Sequence, residues 1–370
     1  MLFRSEERSA TAGQQRPRTS VPRCGCSATY VSQRWRCFWR RPLSAAGCEL
    51  GRSALAAASL DAGFRVAERL PAPGAHGGDA TAIARSLGID VGRLLDLSAS
   101  LNPVAPDLRP LLAGHLDSIG RYPDATVATA ALAGVLGATP DEVLLTNGGA
   151  EAIALVAEDE GSGWFEAPEF SLYGRHLRAV RPDAPRWRSN PSSPLGHLAE
   201  PSATAAVWDE AFYPLVAGEW TRGDARVGAT IVGSLTKLFA CPGLRIGYVL
   251  SQDTNRIARM AARQPGWSVN GLACDVLPAM LEHATIAVWA RATAVLRAEL
   301  VDLLARHGMT CHPGVANWVL VDSPGLRERL IPLGIVVRDC ASFGLDGVVR
   351  IAVPDADGLA RLEHALTALE

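Results

Sequence analysis

The stretch Gly233-Ser234-Leu235-Thr236-Lys237, followed closely by Gly243-Leu244-Arg245-Ile246-Gly247-Tyr248, decides how the rest of the chain is interpreted. Lys237 is the only lysine in 370 residues, and the other 35 of the 36 Lys and Arg residues are arginines. Arginine serves surface charge and ion pairs as well as lysine does, but it cannot act as a free amine that attacks a carbonyl near neutral pH. A single retained lysine therefore indicates a need for an amine. The alternative is chance survival in an arginine-rich composition.

The residues around Lys237 suit a ligand that carries both a phosphate and an aldehyde. The apolar run 227–232 predicts a buried strand that leads into Gly233 and Ser234. Ser234 stands three residues before the lysine and Arg245 stands eight after it. A hydroxyl and a guanidinium can hold a phosphate, which arginine contacts through two parallel N–H bonds, while the lysine holds the aldehyde. Pyridoxal 5'-phosphate (PLP) is a ligand of this kind.

Three other segments carry candidate functional groups. Asn147-Gly148-Gly149-Ala150-Glu151-Ala152-Ile153 follows the apolar run 143–146 and opens a helix, so it is a candidate anion site, with an ordinary tight turn as the alternative. Asp209 ends a second apolar strand, where α/β proteins place their chemistry, although it could also be a helix cap. Arg350 lies inside a third apolar strand, where its charge needs an anionic partner, either a substrate or a structural ion pair.

Taken in order, these segments resemble the class I/II aminotransferase family of fold-type I PLP enzymes, and the resemblance covers residues 76–370. It implies that Lys237 and Asp209 are catalytic, with Asp209 keeping the pyridine nitrogen protonated. It implies cofactor contacts from Gly149, Ala150, Phe170, Ser193, Asp209, Ser234, Lys237, Arg245 and, from a second subunit of a homodimer with shared active sites, Tyr122. It implies substrate contacts from Arg350, Asn102 and His76.

Two positions depart from the family pattern around the phenolic oxygen of the cofactor. Relatives carry asparagine before the second proline of an Asn-Pro-x-Asn-Pro-Thr-Gly loop, whereas this chain has Ser193 in the segment 190–196. Many relatives carry tyrosine where Phe212 stands, so a hydroxyl is missing there. Serine offers a single short donor, and we therefore expect the ring electronics to differ.

The segments around the expected site look most like those of threonine-phosphate decarboxylases, which serve cobalamin biosynthesis and are kin of histidinol-phosphate aminotransferases. The segments in question are 76–78, 98–103, 122–124, 265–270 and 338–345. The resemblance implies an enzyme that acts on an amino acid through an external aldimine. The expected reaction is the decarboxylation of threonine phosphate. One alternative is an aminotransferase acting on histidinol phosphate or another amino acid. The other, from a different class, is a non-catalytic PLP-binding or scaffold protein.

Strands that alternate with helices predict an α/β protein with a mainly parallel sheet. The resemblance adds a large PLP-binding domain and a smaller α+β domain. We expect an N-terminal segment over 76–115 that packs with the small domain, the large domain over 116–270, and an interdomain helix with the small domain over 271–370. Helices are predicted at 80–87, 106–116, 125–136, 285–307 and 357–369, and further strands at 318–321, 335–337 and 348–353.

Composition and charge restrict the classes of partner that we expect this chain to bind. The formal net charge of −2 gives no indication of nucleic acid or an anionic membrane, and no apolar run reaches the roughly 20 residues that a membrane span needs. The eight cysteines lack zinc-ligand spacing, so no metal is expected and a cytoplasmic protein with reduced thiols is favoured. Residues 1–75 hold twelve arginines against five acidic residues and are predicted to be a disordered extension, with a basic arm for nucleic acid or a partner as the alternative.

Overall fold

The structure, a computed structural model, describes residues 70–74 and 76–370, which fall in the unit Ala62–Glu370. Almost all of the predicted arginine-rich extension lies outside the described residues. The strands are β1 (Leu95–Asp96), β2 (Val143–Asn147), β3 (Ser162–Gly163), β4 (Ala179–Val180), β5 (Trp187–Ser189), β6 (Val207–Asp209), β7 (Thr230–Ser234), β8 (Ile246–Leu250), β9 (Trp318–Asp322), β10 (Ile335–Val336), β11 (Arg338–Asp339) and β12 (Val348–Ala352). The α-helices are α1 (Ala80–Leu87), α2 (Arg109–Ala113), α3 (Thr126–Leu136), α4 (Gly148–Glu160), α5 (Leu172–His176), α6 (Tyr213–Ala217), α7 (Leu235–Leu238), α8 (Thr254–Arg263), α9 (Gly271–Glu282), α10 (Ile286–Arg306), α11 (Leu326–Leu330) and α12 (Ala356–Thr367).

The main sheet has five strands in the order β2-β8-β7-β6-β5. Strands β5, β6 and β7 pair in parallel, and β8 runs antiparallel to both β7 and β2, so four of the five strands point the same way. Residues along β7 and β8 are buried because helices cover the sheet, which explains their nearly continuous apolar sequence. The α/β prediction is confirmed.

Register brings the ends of these strands together. Ser189 pairs with Asp209, and Ser234 pairs with Gly247. Strand β2 ends at Asn147 on the same edge, opposite Ile246. The carboxyl ends of four strands therefore meet at one edge of the sheet, which is where α/β proteins place their ligands.

A second sheet occupies the C-terminal part of the chain. Strands β11, β12 and β9 form an antiparallel sheet in that order. Leu300 and Leu304 of α10 and Leu362 of α12 pack with Val319 and Ile351 of this sheet in one apolar core. Strand β1 pairs in parallel with β10, so the start of the described chain is tied to its C-terminal part. The domain boundaries given above stay predictions.

Most predicted elements recur within one or two residues, and two differ. The helix expected over 106–116 is reduced to α2, because Gly114 ends it and a 3-10 turn, Leu116–Gly120, follows. The strand expected from Val227 begins at Thr230, because Val227 closes a 3-10 turn and its side chain is 83% exposed.

Two searches of the described residues give further limits. No single helix there is both long and apolar enough to cross a bilayer, although α9 and α10, which meet at an angle of 84°, satisfy the length and composition criteria as a bent pair. Within the same residues, no group of three or more His, Cys, Asp and Glu side chains is arranged to hold a metal ion. Cys241, Cys274, Cys311 and Cys340 are free thiols.

Candidate active site

A cavity of about 170 Å³ opens where the carboxyl ends of β2, β6 and β7 meet. Ten of the twelve predicted site residues line it, namely His76, Gly149, Ala150, Phe170, Ser193, Asp209, Ser234, Lys237, Arg245 and Arg350. The chain thus brings together residues that are separated by up to 274 positions (from 76 to 350) in the sequence. Their functional roles remain predictions.

Lys237 lies in the short helix α7, directly after β7. Its Nζ atom is 5.9 Å from the centre of the Phe212 ring. Burial, together with the positive charges of Arg350, Arg245 and Arg338, lowers the pKa of Lys237 to about 8. A larger fraction of the amine is therefore unprotonated near neutral pH than for an exposed lysine, as nucleophilic attack on an aldehyde requires.

One end of the cavity offers donors for an anion. The first turn of α4, a helix of 13 residues, contributes Gly149 and Ala150, and its backbone N–H groups lack partners within the helix. Ser234 adds a hydroxyl 2.8 Å from the Thr236 hydroxyl. Arg245 adds a guanidinium that donates to the Asn147 carbonyl at 3.4 Å. Its backbone φ of 57° is in the left-handed region, which non-glycine residues rarely adopt and which is common at functional sites.

Close packing of β8 against the start of α4 holds this end together. A Cβ atom at Gly247 would lie 2.4 Å from the carbonyl carbon of Gly148 and 2.5 Å from the nitrogen of Gly149. Only a residue without a side chain lets the two backbones approach so closely. Gly247 is therefore needed to form the anion site.

Asp209 lies at the end of β6 with 8% of its surface exposed. Its Oδ2 atom accepts a hydrogen bond from the Tyr173 hydroxyl at 2.9 Å, and its Oδ1 atom accepts one from the Ala211 N–H at 3.0 Å. Burial raises the pKa of Asp209, while these hydrogen bonds and the Lys237 charge oppose the rise. The carboxylate is thus held in one orientation. Sequence reasoning gave no role to Tyr173, although it stands three residues after Phe170.

The face of the cavity near Phe170 is largely aromatic. The Phe170 ring lies 6.0 Å from the Tyr173 ring and 5.6 Å from the His76 ring. Phe212 packs edge-on against Trp318 at 4.8 Å and adds no polar group to the cavity. Ser193 is 6% exposed, and its backbone N–H donates to the Ser189 hydroxyl at 2.7 Å. The departures at 193 and 212 therefore leave this side of the cavity with few donors.

The part of the cavity lined by β11 and β12 is strongly cationic. Arg350 and Arg338 are each 5% exposed. Arg350 donates to the Ser98 carbonyl at 3.4 Å, and its Nε atom is buried without a hydrogen-bond partner among residues 70–74 and 76–370. Burial and the charge of Arg338 lower the pKa of Arg350. No ion pair to Arg350 is found in the part of the chain that the structure describes, so the structural ion pair considered from the sequence is not supported there.

The sequence gives no indication of a role for Arg338 itself, although the segment 338–345 resembles the family. It lies on β11, paired with Arg350 on β12, and its guanidinium packs over the Phe343 ring at 4.4 Å. Nearby, burial and the charges of Arg338, Arg175 and Lys237 lower the pKa of His76. The positive charge of these groups suits this part of the cavity to an anion.

Two predicted site residues lie outside the cavity. The Asn102 side chain donates to the Leu238 carbonyl at 2.8 Å and accepts from the Val104 N–H at 3.0 Å, so its polar atoms support the lysine segment instead of facing the cavity. Tyr122 is 76% exposed and stacks on Trp267 at 4.6 Å. A substrate contact for Asn102 and a contact of Tyr122 with a second subunit stay predictions.

The residues present fit PLP. A phosphate needs donors, which the start of α4, Ser234 and Arg245 supply at one end of the cavity. An aldehyde needs an amine, which is Lys237. A pyridinium nitrogen needs an oriented, buried carboxylate, which Asp209 provides through its fixed hydrogen bonds.

Comparison with known proteins gives the same assignment. The model of the family "Aminotransferase class I and II" matches residues 190–369. Threonine-phosphate decarboxylase of Salmonella typhimurium is 30% identical over 357 residues, covering 80% of this chain and 97% of that protein. Histidinol-phosphate aminotransferase 1 of Dechloromonas aromatica is 24% identical, covering 77% and 92%.

Solved structures share the fold. Histidinol-phosphate aminotransferase of Sinorhizobium meliloti in complex with pyridoxal-5'-phosphate matches with a TM-score of 0.65 at 16% identity, covering 86% of this chain and all of that one. The predicted family and fold are confirmed, and the cofactor prediction is confirmed at the level of the family. The chain belongs to the class I and II aminotransferases, a family of PLP-dependent enzymes.

Proposed function

We propose that this protein is a PLP-dependent decarboxylase of a phosphorylated amino acid such as O-phosphothreonine, and that it supplies an aminopropanol phosphate for cobalamin biosynthesis. The observation that carries the proposal is Arg350, a buried guanidinium that lines the cavity and whose Nε atom has no hydrogen-bond partner among the described residues. The relative with 30% identity, a threonine-phosphate decarboxylase, supports it.

The buried Arg350 guanidinium favours a substrate that carries an anionic group. A buried cation is costly unless an anion pairs with it. Arg245 would serve the cofactor phosphate, so Arg350 remains for a substrate anion, and the charge of Arg338 acts on the same guanidinium. An amino acid with a phosphate on its side chain offers two anionic groups to this part of the cavity, a carboxylate and a phosphate. His76 would add a donor near the phosphate when it is protonated.

Each residue would have a distinct task in this reaction. Lys237 would hold the cofactor through its aldehyde and, once the substrate amine has displaced it, would deliver a proton to the α-carbon from which CO₂ has left. Asp209, held by Tyr173, would keep the pyridine nitrogen protonated. The bound cofactor supplies an electron sink that accepts the electron pair of the broken carbon–carbon bond. Phe170 and Phe212 would exclude water from the ring.

An aminotransferase is the second candidate. The same buried guanidinium would also suit a dicarboxylic amino acid as amino donor, and histidinol-phosphate aminotransferases are among the relatives. In that reaction Lys237 would remove the α-proton, and no CO₂ would be released. The non-catalytic alternative is not supported, because the relatives described above are enzymes.

The two reactions are separated by their products. The protein loaded with PLP is incubated with O-phosphothreonine, and CO₂ and the phosphorylated amine are measured with and without a keto acid. We expect stoichiometric CO₂ and amine that need no keto acid, and much slower turnover of threonine. Turnover that requires a keto acid and releases no CO₂ would defeat the decarboxylase proposal in favour of the aminotransferase.

A variant of the cavity arginine tests the proposal directly. Arg350→Gln is expected to lower kcat/KM for O-phosphothreonine by about 100-fold or more, since it removes the buried cation that would pair with a substrate anion. Arg175→Gln is the matched control, because Arg175 is exposed and does not line the cavity, although its charge also acts on His76. Equal activity in both variants would remove the main support for a phosphorylated substrate.

We also propose a homodimer with shared sites. Ile119, Tyr122 and Trp267 are 75%, 76% and 65% exposed, and Tyr122 stacks on Trp267, which leaves an apolar group available for a second subunit. Sedimentation should give twice the chain mass of 39.1 kDa. A monomer that is fully active would contradict this assembly.

A further inference from the structure

A chain of hydrogen bonds links a carboxyl group outside the expected cofactor contacts to the cavity wall. The Ser189 hydroxyl donates to Glu169 Oε2 at 2.5 Å, and the Ser189 N–H donates to Glu169 Oε1 at 2.9 Å. The Ser193 N–H donates to the Ser189 hydroxyl at 2.7 Å. Ser189 and Ser193 line the cavity, and Glu169 directly precedes Phe170. Glu169 is therefore one hydroxyl away from the cavity.

The Glu169 carboxyl group has a pKa close to neutral pH. Burial raises its pKa to about 7, Asp209 contributes in the same direction, and the hydrogen bonds from Ser189 and Phe170 oppose the rise. The charged and titratable groups that face Glu169 are Tyr173 on α5, Arg188 on β5 and Asp209 on β6. Its protonation thus changes the charge beside the cavity near neutral pH.

The protonation state of Glu169 also controls whether the Ser189 hydroxyl can donate a hydrogen bond into the cavity. An ionised Glu169 only accepts, so it holds the Ser189 proton and keeps it away from the cavity. A protonated Glu169 can donate its own proton to the Ser189 oxygen. The Ser189 hydroxyl hydrogen is then released and can turn towards the cavity. The resemblance to the family implies that the phenolic oxygen of the cofactor lies near Ser193 and Phe212, the two positions that depart from the family pattern, and both residues line the cavity.

We propose that Glu169 is a positioning residue that, through the Ser189 hydroxyl, sets the charge and the hydrogen bonding presented to the phenolic oxygen of the cofactor. Glu169 and Ser189 would thereby replace the contacts that the resemblance assigns to an asparagine at position 193 and a tyrosine at position 212. This inference rests on the proposed binding of PLP, but not on the choice between decarboxylase and aminotransferase.

The test is a pH titration of the visible absorbance of the PLP-loaded protein. The wild-type spectrum should change near pH 7 as Glu169 titrates. Glu169→Gln should abolish that transition and lower the midpoint of the chromophore's own titration by about one pH unit, because a nearby negative charge is lost. Ser189→Ala removes a hydrogen bond that favours the ionised carboxyl, so it should move the transition near pH 7 upwards by about half a unit or more.

Glu166→Gln is the matched control, because Glu166 is an exposed carboxylate that pairs with Arg186 and does not line the cavity. Its titration should match the wild type. A Glu169→Gln titration identical to that of the wild type would overturn the inference, and a Ser189→Ala titration identical to that of the wild type would overturn the part played by the hydroxyl.

The thermal midpoint of each variant shows whether it is folded, and Ser189→Ala alone still decides the question if Glu169→Gln does not fold. A wild-type protein that is loaded with PLP and shows no visible band once unbound PLP has been removed by dialysis would instead defeat the proposed function. The two failures are therefore distinguishable.

Discussion

Burial changes the chemistry of the single lysine. The pKa of Lys237 falls to about 8, because the amine is buried among Arg350, Arg245 and Arg338. A lowered pKa means that the unprotonated amine, which attacks aldehydes, becomes abundant at a lower pH than for an exposed lysine.

We therefore expect the rate of PLP incorporation into the cofactor-free protein to rise with pH and to level off above about pH 8. Below that pH the rate of PLP incorporation should fall about tenfold for each pH unit, since only the unprotonated amine reacts. Stopped-flow absorbance in the visible range measures the rate. A rate that keeps rising up to about pH 10 would show that the lysine has the pKa of an exposed one.

Tyr173 fixes Asp209, and its hydroxyl can be removed without removing its ring. Tyr173→Phe keeps the contact with the Trp187 ring at 5.4 Å but loses the hydrogen bond to Asp209. A hydrogen bond to a charged group contributes about 1.5 to 3 kcal/mol, so kcat should fall by about 10- to 100-fold with little change in KM. Steady-state kinetics, with the thermal midpoint as a check on folding, measures this. An unchanged kcat would show that Asp209 needs no such support.

The sequence reveals some of these residues and hides others for a physical reason. Lys237, Asp209 and Arg350 can be recognised because each is chemically out of place in its own segment. Tyr173, Glu169 and Arg338 have ordinary neighbours along the chain, and only the folded register brings them to the cavity. Asn102 shows the opposite case, because its motif suggested a substrate contact while its side chain is occupied by Leu238 and Val104.

At the scale of elements, the junction of β8 with α4 determines the shape of the anion site. Gly247→Ala should force the two backbones apart, because the added Cβ would lie 2.4 Å from the Gly148 carbonyl carbon. We expect a loss of about 2 kcal/mol or more in the free energy of unfolding, which is typical of overpacking, and at least tenfold weaker PLP binding.

Gly243→Ala is the control for this prediction, because a Cβ atom there meets nothing within 4 Å and its φ is not positive. It should leave both quantities close to those of the wild type. Denaturant unfolding and PLP titration measure them. A Gly247→Ala variant that binds PLP normally would show that the close approach is not needed.

The end of a helix can be predicted from the sequence where a residue at that end stops it. Helices α1 and α3 end at Gly88 and Gly137, which adopt the left-handed conformation that ends helices. The start of β7 was not predictable, because Val227 continues the apolar run although it points to solvent from a 3-10 turn. Likewise, the antiparallel direction of β8 depends on pairing with β7 and β2, which an apolar run cannot reveal.

At the scale of the whole molecule, an ion cluster joins α4 to α8. The Asp159 carboxylate, with 4% of its side chain exposed, pairs with Arg256 at 3.1 Å, Arg259 at 3.2 Å and Arg263 at 3.1 Å. Burial alone would raise the pKa of Asp159, but the hydrogen bonds and charges of these arginines lower it below the ordinary value.

A lowered pKa in the folded state stabilises the protein above the unfolded-state pKa of about 3.9 and is lost as the pH falls through the folded-state pKa. Asp159→Asn should therefore lower the free energy of unfolding by about 2 kcal/mol at neutral pH. The difference from the wild type should shrink below about pH 4. Denaturant unfolding at several pH values measures it.

Asp107→Asn serves as the control, because Asp107 and Arg109 form an exposed pair, which contributes little to stability. An Asp159→Asn variant as stable as the wild type at neutral pH would show that the cluster does not hold the two helices together.

The central claim is that Lys237 is retained because only an amine can bind the cofactor aldehyde. The most direct measurement is the visible absorbance and the turnover of Lys237→Arg after reconstitution with PLP, with circular dichroism to confirm folding. The account predicts a folded protein that keeps no visible band after dialysis and has no measurable activity. A folded variant that stays coloured and turns over substrate at the wild-type rate would contradict it.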